Sequence, residues 1–111
     1  MATSFIELIP SKYAENAQTT QYSATGVVAI IDKFTVTNVS SSNATITVNI
    51  IPGTLSVSNE NIILKQYTVP PGKTYTCPEL VGHILGAGGF ISTIASAASA
   101  LVIRSSGRTI S

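Results

Sequence analysis

The chain predicts an all-β fold, an antiparallel β-sandwich of seven to eight strands with one short helix. Three observations carry this expectation. Ile and Val together number 23 against six Leu, and Ser and Thr contribute 14 each, so β-branched and small polar residues displace the usual helix formers. Turn residues recur every 8 to 14 positions, which suits a sandwich or barrel better than strand–helix units. Hydrophobic residues make up 44% of the 111 positions and charged residues only 10%, well below the roughly 25% of ordinary soluble domains, so the strands have a dry interior to build.

Taken in order, Ser4–Ile9 reads as a first short strand closed by Pro10, and the polar stretch Ser11–Thr19 as an arm or loop. Thr20–Ala24 alternates around Tyr22 and ends at a Thr25-Gly26 turn. Residues 1–25 thus form an N-terminal strand and arm, and residues 26–111 the sandwich body of a single domain. Val27–Val39 is the dominant segment. Fully extended it would span about 43 Å at ~3.3 Å per residue, twice a usual strand. A bend or bulge is therefore expected near Ile31-Asp32, with the apolar first half buried on both faces. Ser40–Asn43 supplies hairpin chemistry, and Ala44–Ile51 returns from it with Ile46, Val48 and Ile50 facing inward.

Pro52-Gly53 ends that strand, and Thr54–Asn61 is a polar connection. Ile62–Val69 is the next strand, stopped by Pro70-Pro71-Gly72, and Lys73–Cys77 resumes extended structure. Pro78–Leu85 is the helix-like stretch: Pro suits a first helical position, and Glu79 suits the positive end of the dipole. Gly86–Gly89 terminates it. Phe90–Ala97 and Ala100–Arg104 read as a last strand pair around Ala98-Ser99, with Arg108–Ser111 as a terminal edge strand. Phe34, Val36, Ile46, Val48, Ile50 and Ile94 are expected in one core.

Composition also narrows the function. Six Lys/Arg against five Asp/Glu leave a formal charge of +1, with neither a polybasic arm nor an acidic tail nor a charge-rich coiled coil. So much Ile and Val argues against disorder. Cys77 is alone and forms no internal disulfide. MATSFIELIPSKYAEN lacks a basic n-region and a long apolar stretch, and the longest apolar run, Gly26–Ile31, is too short for a membrane span. The mean hydropathy of +0.38 is read as a dry core or buried interfaces. Asn38-Val-Ser40 and Asn43-Ala-Thr45 match glycosylation sequons but are read as turn chemistry.

No catalytic, metal-binding or cofactor-binding residue is assigned. His83 is the only histidine, so no Ser-His-Asp or multi-His set forms within one chain, and it is read as structural. Cys77 before Pro78 reads as a small buried residue, since a reactive thiol needs an electropositive setting. Glu7, Glu15, Asp32, Glu60 and Glu79 have no metal-loop spacing. Gly86–Gly89 follows the helix-like stretch instead of opening it, and no Lys-Ser/Thr comes after, so it is a turn and not a phosphate cradle. Six scattered basic residues give no nucleic-acid footprint. Tyr13, Tyr22, Tyr67 and Tyr75 are read as sandwich-edge or interface side chains. The tail ISTIASAASALVIRSSGRTIS is small, apolar and nearly uncharged, a surface that an assembly would cover.

Three stretches, IIDKFTVTNVSSSNATITVNIIP (Ile30–Pro52), VPPGKTYTCPELVGHIL (Val69–Leu85) and ISTIASAASALVIRSSGRTI (Ile91–Ile110), resemble small structural proteins of tailed bacteriophages. The similarity is to the capsid cement or decoration proteins of podovirus-type heads and covers roughly three quarters of the chain. The chain departs from that pattern at Gly89-Phe90, where an acidic residue often follows the glycine. The resemblance implies a jelly-roll sandwich, no enzymatic activity and no cofactor. It also implies partners in the major capsid protein and in further copies of itself, as a homo-oligomer and expectedly a dimer. Nucleic acid, membrane and small-molecule substrates are not expected partners. The implied location is the exterior of the virion capsid, after synthesis in the host bacterial cytoplasm. Two alternatives stand beside it: a neck, tail or head-fibre adaptor or receptor-contact module, and a carbohydrate-binding module, which the absence of Trp disfavours. Expected contact residues are Phe5, Ile6, Leu8 and Ile9 in the N-terminal segment, and Phe90. That segment either adds a strand to a neighbour's sheet or forms an edge strand of its own sandwich.

Overall fold

A computed structural model describes residues 2–111. Nine strands follow one another: β1 (Thr3–Tyr13), β2 (Thr19–Ser23), β3 (Val28–Asn38), β4 (Ala44–Ile51), β5 (Ile62–Val69), β6 (Thr74–Tyr75), β7 (Ile84–Leu85), β8 (Phe90–Ala95) and β9 (Leu101–Ile110). They form two antiparallel sheets. The first has the order β1-β9-β3-β6, with β7 also on β3; the second has the order β2-β8-β4-β5. β6 pairs with Val36 and Thr37, and β7 with Ala29 and Ile30, so the two pieces share one edge of β3 like a broken strand. Counting them as one position, eight strands wind back and forth between two packed four-stranded sheets. This is the jelly-roll arrangement.

Alternation decides which side chains line the interior. Phe34, Val36, Ile46 and Val48 are fully buried and Ile50 nearly so, as the sequence led us to expect. Ile31, Ile91, Leu101 and Ile103 join them in one continuous core. Burying a side chain of this size stabilises by about 1.5–3 kcal/mol. The bulge expected in the long strand is present at Asp32, where the register of β3 on β9 slips between Ile31 and Lys33. One extra residue reverses the phase of the strand. Ala29 and Ile31 point inward before it, and Phe34 and Val36 after it. β1 has a matching irregularity between Glu7 and Ile9 on the other side of β9. Gly107 of β9 runs between the two: a Cβ there would collide with the Ile30 carbonyl oxygen and come within 2.9 Å of Leu8 Cδ1.

Several expectations are corrected. Pro10 does not close the first strand; β1 continues to Tyr13 through a second register shift, tolerable because β1 is a sheet edge. β3 and β4 are not a hairpin, because they lie in different sheets. The loop between them arches over the sandwich end, anchored by Asn38, whose buried amide donates to the Ser42 and Val69 carbonyls at 2.8 and 2.7 Å. Its Oδ1 accepts from Ser40 N at 2.9 Å, which is the turn chemistry read from the sequon.

Pro78–Leu85 is not a helix. Leu80 N bonds Cys77 O and His83 N bonds Leu80 O, and Gly82 then takes a left-handed φ of 89°. Gly82 N and His83 O bond the backbone of Ile31, so β3 captures the segment as a strand. The short helix is instead a 3-10 turn at Asn59–Asn61, inside the polar connection. β8 and β9 also lie in different sheets, and β9 is one continuous strand between β1 and β3 that absorbs the expected terminal edge strand. Ile94 is half-exposed on the outer side, because Ile91, Thr93 and Ala95 take the inward positions of β8.

Candidate binding face

Residues directly opposite one another across an antiparallel ladder share a face. On the outer side of the first sheet the row Phe5–Arg108–Ile30–Ile84 crosses four strands, and the row Thr3–Ile110–Val28 lies beside it. Phe5 is 81% and Ile84 63% exposed, while Val28, Ile30 and Ile110 are half-buried. The result is a group of five apolar side chains with Arg108 standing between Phe5 and Ile30. The expectation that both faces of the Val27–Ile31 stretch are buried is met only on one side: Ala29 and Ile31 enter the core, while Val28 and Ile30 are half-buried on the outer face.

Charges border the patch. The bulge lifts Asp32 over β9, where its carboxylate accepts from Arg108 Nε at 3.2 and 3.0 Å and from Nη2 at 2.9 Å. These bonds and the attraction between the two charges raise the Arg108 pKa above its ordinary value. Arg104 Nη2 lies 3.4 Å from Glu7 Oε2, and Lys33 stands opposite Ser106 between them. Exposed pairs of this kind add little stability. Their effect is to fix β1, β9 and β3 side by side and to keep five of the eleven charged residues on one face.

The outer side of the second sheet is finished differently. Thr45, Thr47, Gln66 and Ser96, with Ile94 and Ala95, line a shallow depression of mixed polarity. Beyond it the 52–61 connection folds over Asn49, whose Nδ2 donates to Ser58 O at 3.0 Å and Asn61 Oδ1 at 2.7 Å. Asn61 Nδ2 donates in turn to Ser56 O at 3.0 Å, and Ser58 caps the 3-10 turn. Ser92 Oγ is held between Gln18 and the Thr19 carbonyl.

At the side of the sandwich, Tyr67 of β5 stacks on Tyr75 of β6 with ring centroids 3.9 Å apart, so both serve as edge residues. The Tyr75 hydroxyl donates to Glu79 Oε1. Burial, and then this bond, raise the Tyr75 pKa, and the same bond lowers that of Glu79. Cys77 is buried behind them, and burial pushes its thiol up to about 12. His83 lines a cleft of about 300 Å³ with Ile50, Pro52, Ile63, Ile84 and Ala87. Among the described residues no three His, Cys, Asp or Glu side chains converge as metal ligands, and no helix is long and apolar enough to cross a membrane.

Of the expected contact residues, Phe5 alone stands on the apolar patch. Ile6 packs against the core, Leu8 and Ile9 are buried in it at 2% and 0% exposure, and Phe90 lies on the other sheet opposite Ile51 and Ser23. The structure adds Val28, Ile30, Ile84 and Ile110. Their signal in the sequence was the run of apolar residues on both phases of Val27–Ile31, which fits double burial and a surface patch equally well. No protein-family model matches the chain, and neither curated proteins nor solved structures yield a similar one.

Proposed function

We propose that the chain is a virion structural protein that binds the outside of a tailed-phage capsid and cements neighbouring subunits of the major capsid protein. The observation that supports this reading most is the apolar patch of Phe5, Val28, Ile30, Ile84 and Ile110, carried on a rigid sheet and bordered by interlocked charges. Side chains left exposed on such a scaffold suit a flat protein partner better than a small substrate. The sequence resemblance supplies the identity of that partner. Many identical copies on a closed shell make modest affinity at each site effective.

The test is mechanical. Heads lacking the protein should assemble but release DNA at lower temperature, or under milder osmotic shock, than complete heads, and adding purified protein should restore them. Heads that keep full stability yet fail in tail attachment or host adsorption would replace this reading with a neck, tail or fibre role.

A further inference from the structure

All four sheet edges are interrupted somewhere, but three of them offer no unbroken run of five residues. β2 is five residues long with a register shift, β5 breaks its register beyond Leu64 with Gln66 at φ 46°, and the edge beside β3 is split into the two-residue pieces β6 and β7. Short, broken edges resist pairing with another chain. The fourth edge is β1. From Thr3 to Glu7 it runs in unbroken register on β9 and carries neither Lys nor Pro.

The backbone of this stretch shows what it can accept. Ala2 and Ser111 exchange both hydrogen bonds, at 3.1 and 3.0 Å. In an antiparallel ladder the residues then alternate: Ser4 and Ile6 also bond β9, while Thr3, Phe5 and Glu7 turn N–H and C=O to the free edge. Among the described residues nothing else bonds those six groups. The three outward residues are spaced symmetrically about Phe5.

We propose that Thr3–Glu7 pairs antiparallel with the same segment of a second copy, about a two-fold axis through Phe5. This gives the homo-oligomer implied by the sequence resemblance its contact, and deepens the function proposed above only in that respect. Phe5 exchanges two bonds with its counterpart, and Thr3 exchanges two with Glu7 of the other chain in each direction, which satisfies every free-edge group. The two exposed phenyl rings meet on the outer face, and the first sheets join into one sheet with both apolar patches on the same side. Charge and completeness of pairing select this register. An axis at Glu7 would set the two carboxylates opposite each other, an axis at Thr3 or Ser4 would leave Glu7 facing residues outside β1, and an axis at Ile6 would set Thr3 opposite Ile9, beyond the register shift. In the proposed register each Glu7 lies opposite a threonine and keeps its own Arg104.

The experiment uses the purified full chain. Sedimentation velocity should show a concentration-dependent dimer. Phe5→Pro removes a donor that points away from β9, so it should give a monomer with the parent circular dichroism spectrum. Phe5→Cys should oxidise to a covalent dimer, since opposed Cα atoms in such a pair lie about 5.5 Å apart, within disulfide reach. Thr47→Cys on the other sheet should not. Should Phe5→Pro fail to fold, the cysteine pair decides. A parent chain that stays monomeric, a dimer that survives Phe5→Pro, or a Phe5→Cys chain that does not cross-link would each overturn the pairing. The capsid reading would then still stand, because it is tested on heads and not in free solution.

Discussion

The two sheets share strand chemistry but finish their outer faces in opposite ways. On the second sheet the outward polar side chains are answered from within the chain: Asn49 by Ser58 and Asn61, Ser92 by Gln18 and Thr19. On the first sheet Phe5 and Ile84 stay exposed beside the half-buried Val28, Ile30 and Ile110, while Glu7 and Asp32 are paired across strands with Arg104 and Arg108. A face with satisfied hydrogen bonds gains little from a partner. A face with exposed apolar groups and pre-paired charges gains apolar burial without stranding an ion. Under the function proposed above, this difference makes the first sheet the side that binds.

The largest effect should come from the core shared by both faces. Val48→Asp places an unpaired charge among fully buried neighbours and should cost more than about 4 kcal/mol, preventing folding. A soluble variant with the parent melting temperature would break the assignment of inside and outside. Next comes the closed face. Asn61→Ala removes the acceptor of Asn49 and of Ser58 N, and should cost about 1–3 kcal/mol, read as a lowered midpoint in urea. An unchanged midpoint would mean that the 52–61 connection does not seal that face.

A separate effect is expected at high pH. The buried Cys77 thiol has its pKa raised from 9.0 to about 12, so the folded chain holds its proton where the unfolded chain loses it. This contribution is complete below pH 9, declines between pH 9 and 12, and should vanish from the melting profile in Cys77→Ser. At pH 8 native Cys77 should resist alkylation. The smallest effect on stability belongs to the open face. Ile84→Asp leaves the core intact and should move stability by no more than about 0.5 kcal/mol.

How much of this was legible in the sequence follows from what each signal encodes. Alternation in Ala44–Ile51 identified an inward row correctly, because side-chain period is a local property. Alternation does not say which sheet a strand joins, so the Ser40–Asn43 loop suited a hairpin as well as an arch. The difference lies in the long-range bond from Asn38 to Val69. Pro78–Leu85 had good helix-start chemistry, but Gly82 and the backbone of Ile31 outcompete a helix of barely two turns. Ile94 misled because β8 carries apolar residues on both phases, and only the pairing Thr47–Ile94 shows which is outward. The candidate binding face was the least legible part. Its residues come from β1, β3, β7 and β9, and the bulge at Asp32 that turns Val28 and Ile30 outward was foreseen without that consequence.

The claim that the first sheet is the binding side is tested most directly by matched substitutions on the two faces. Ile84→Asp and Ile94→Asp place the same charge on outward positions of opposite sheets. In co-sedimentation with heads lacking the protein, Ile94→Asp should bind like the parent chain and Ile84→Asp should remain in the supernatant, both being folded by circular dichroism. Equal binding by the two variants, or loss of binding by Ile94→Asp alone, would contradict the account.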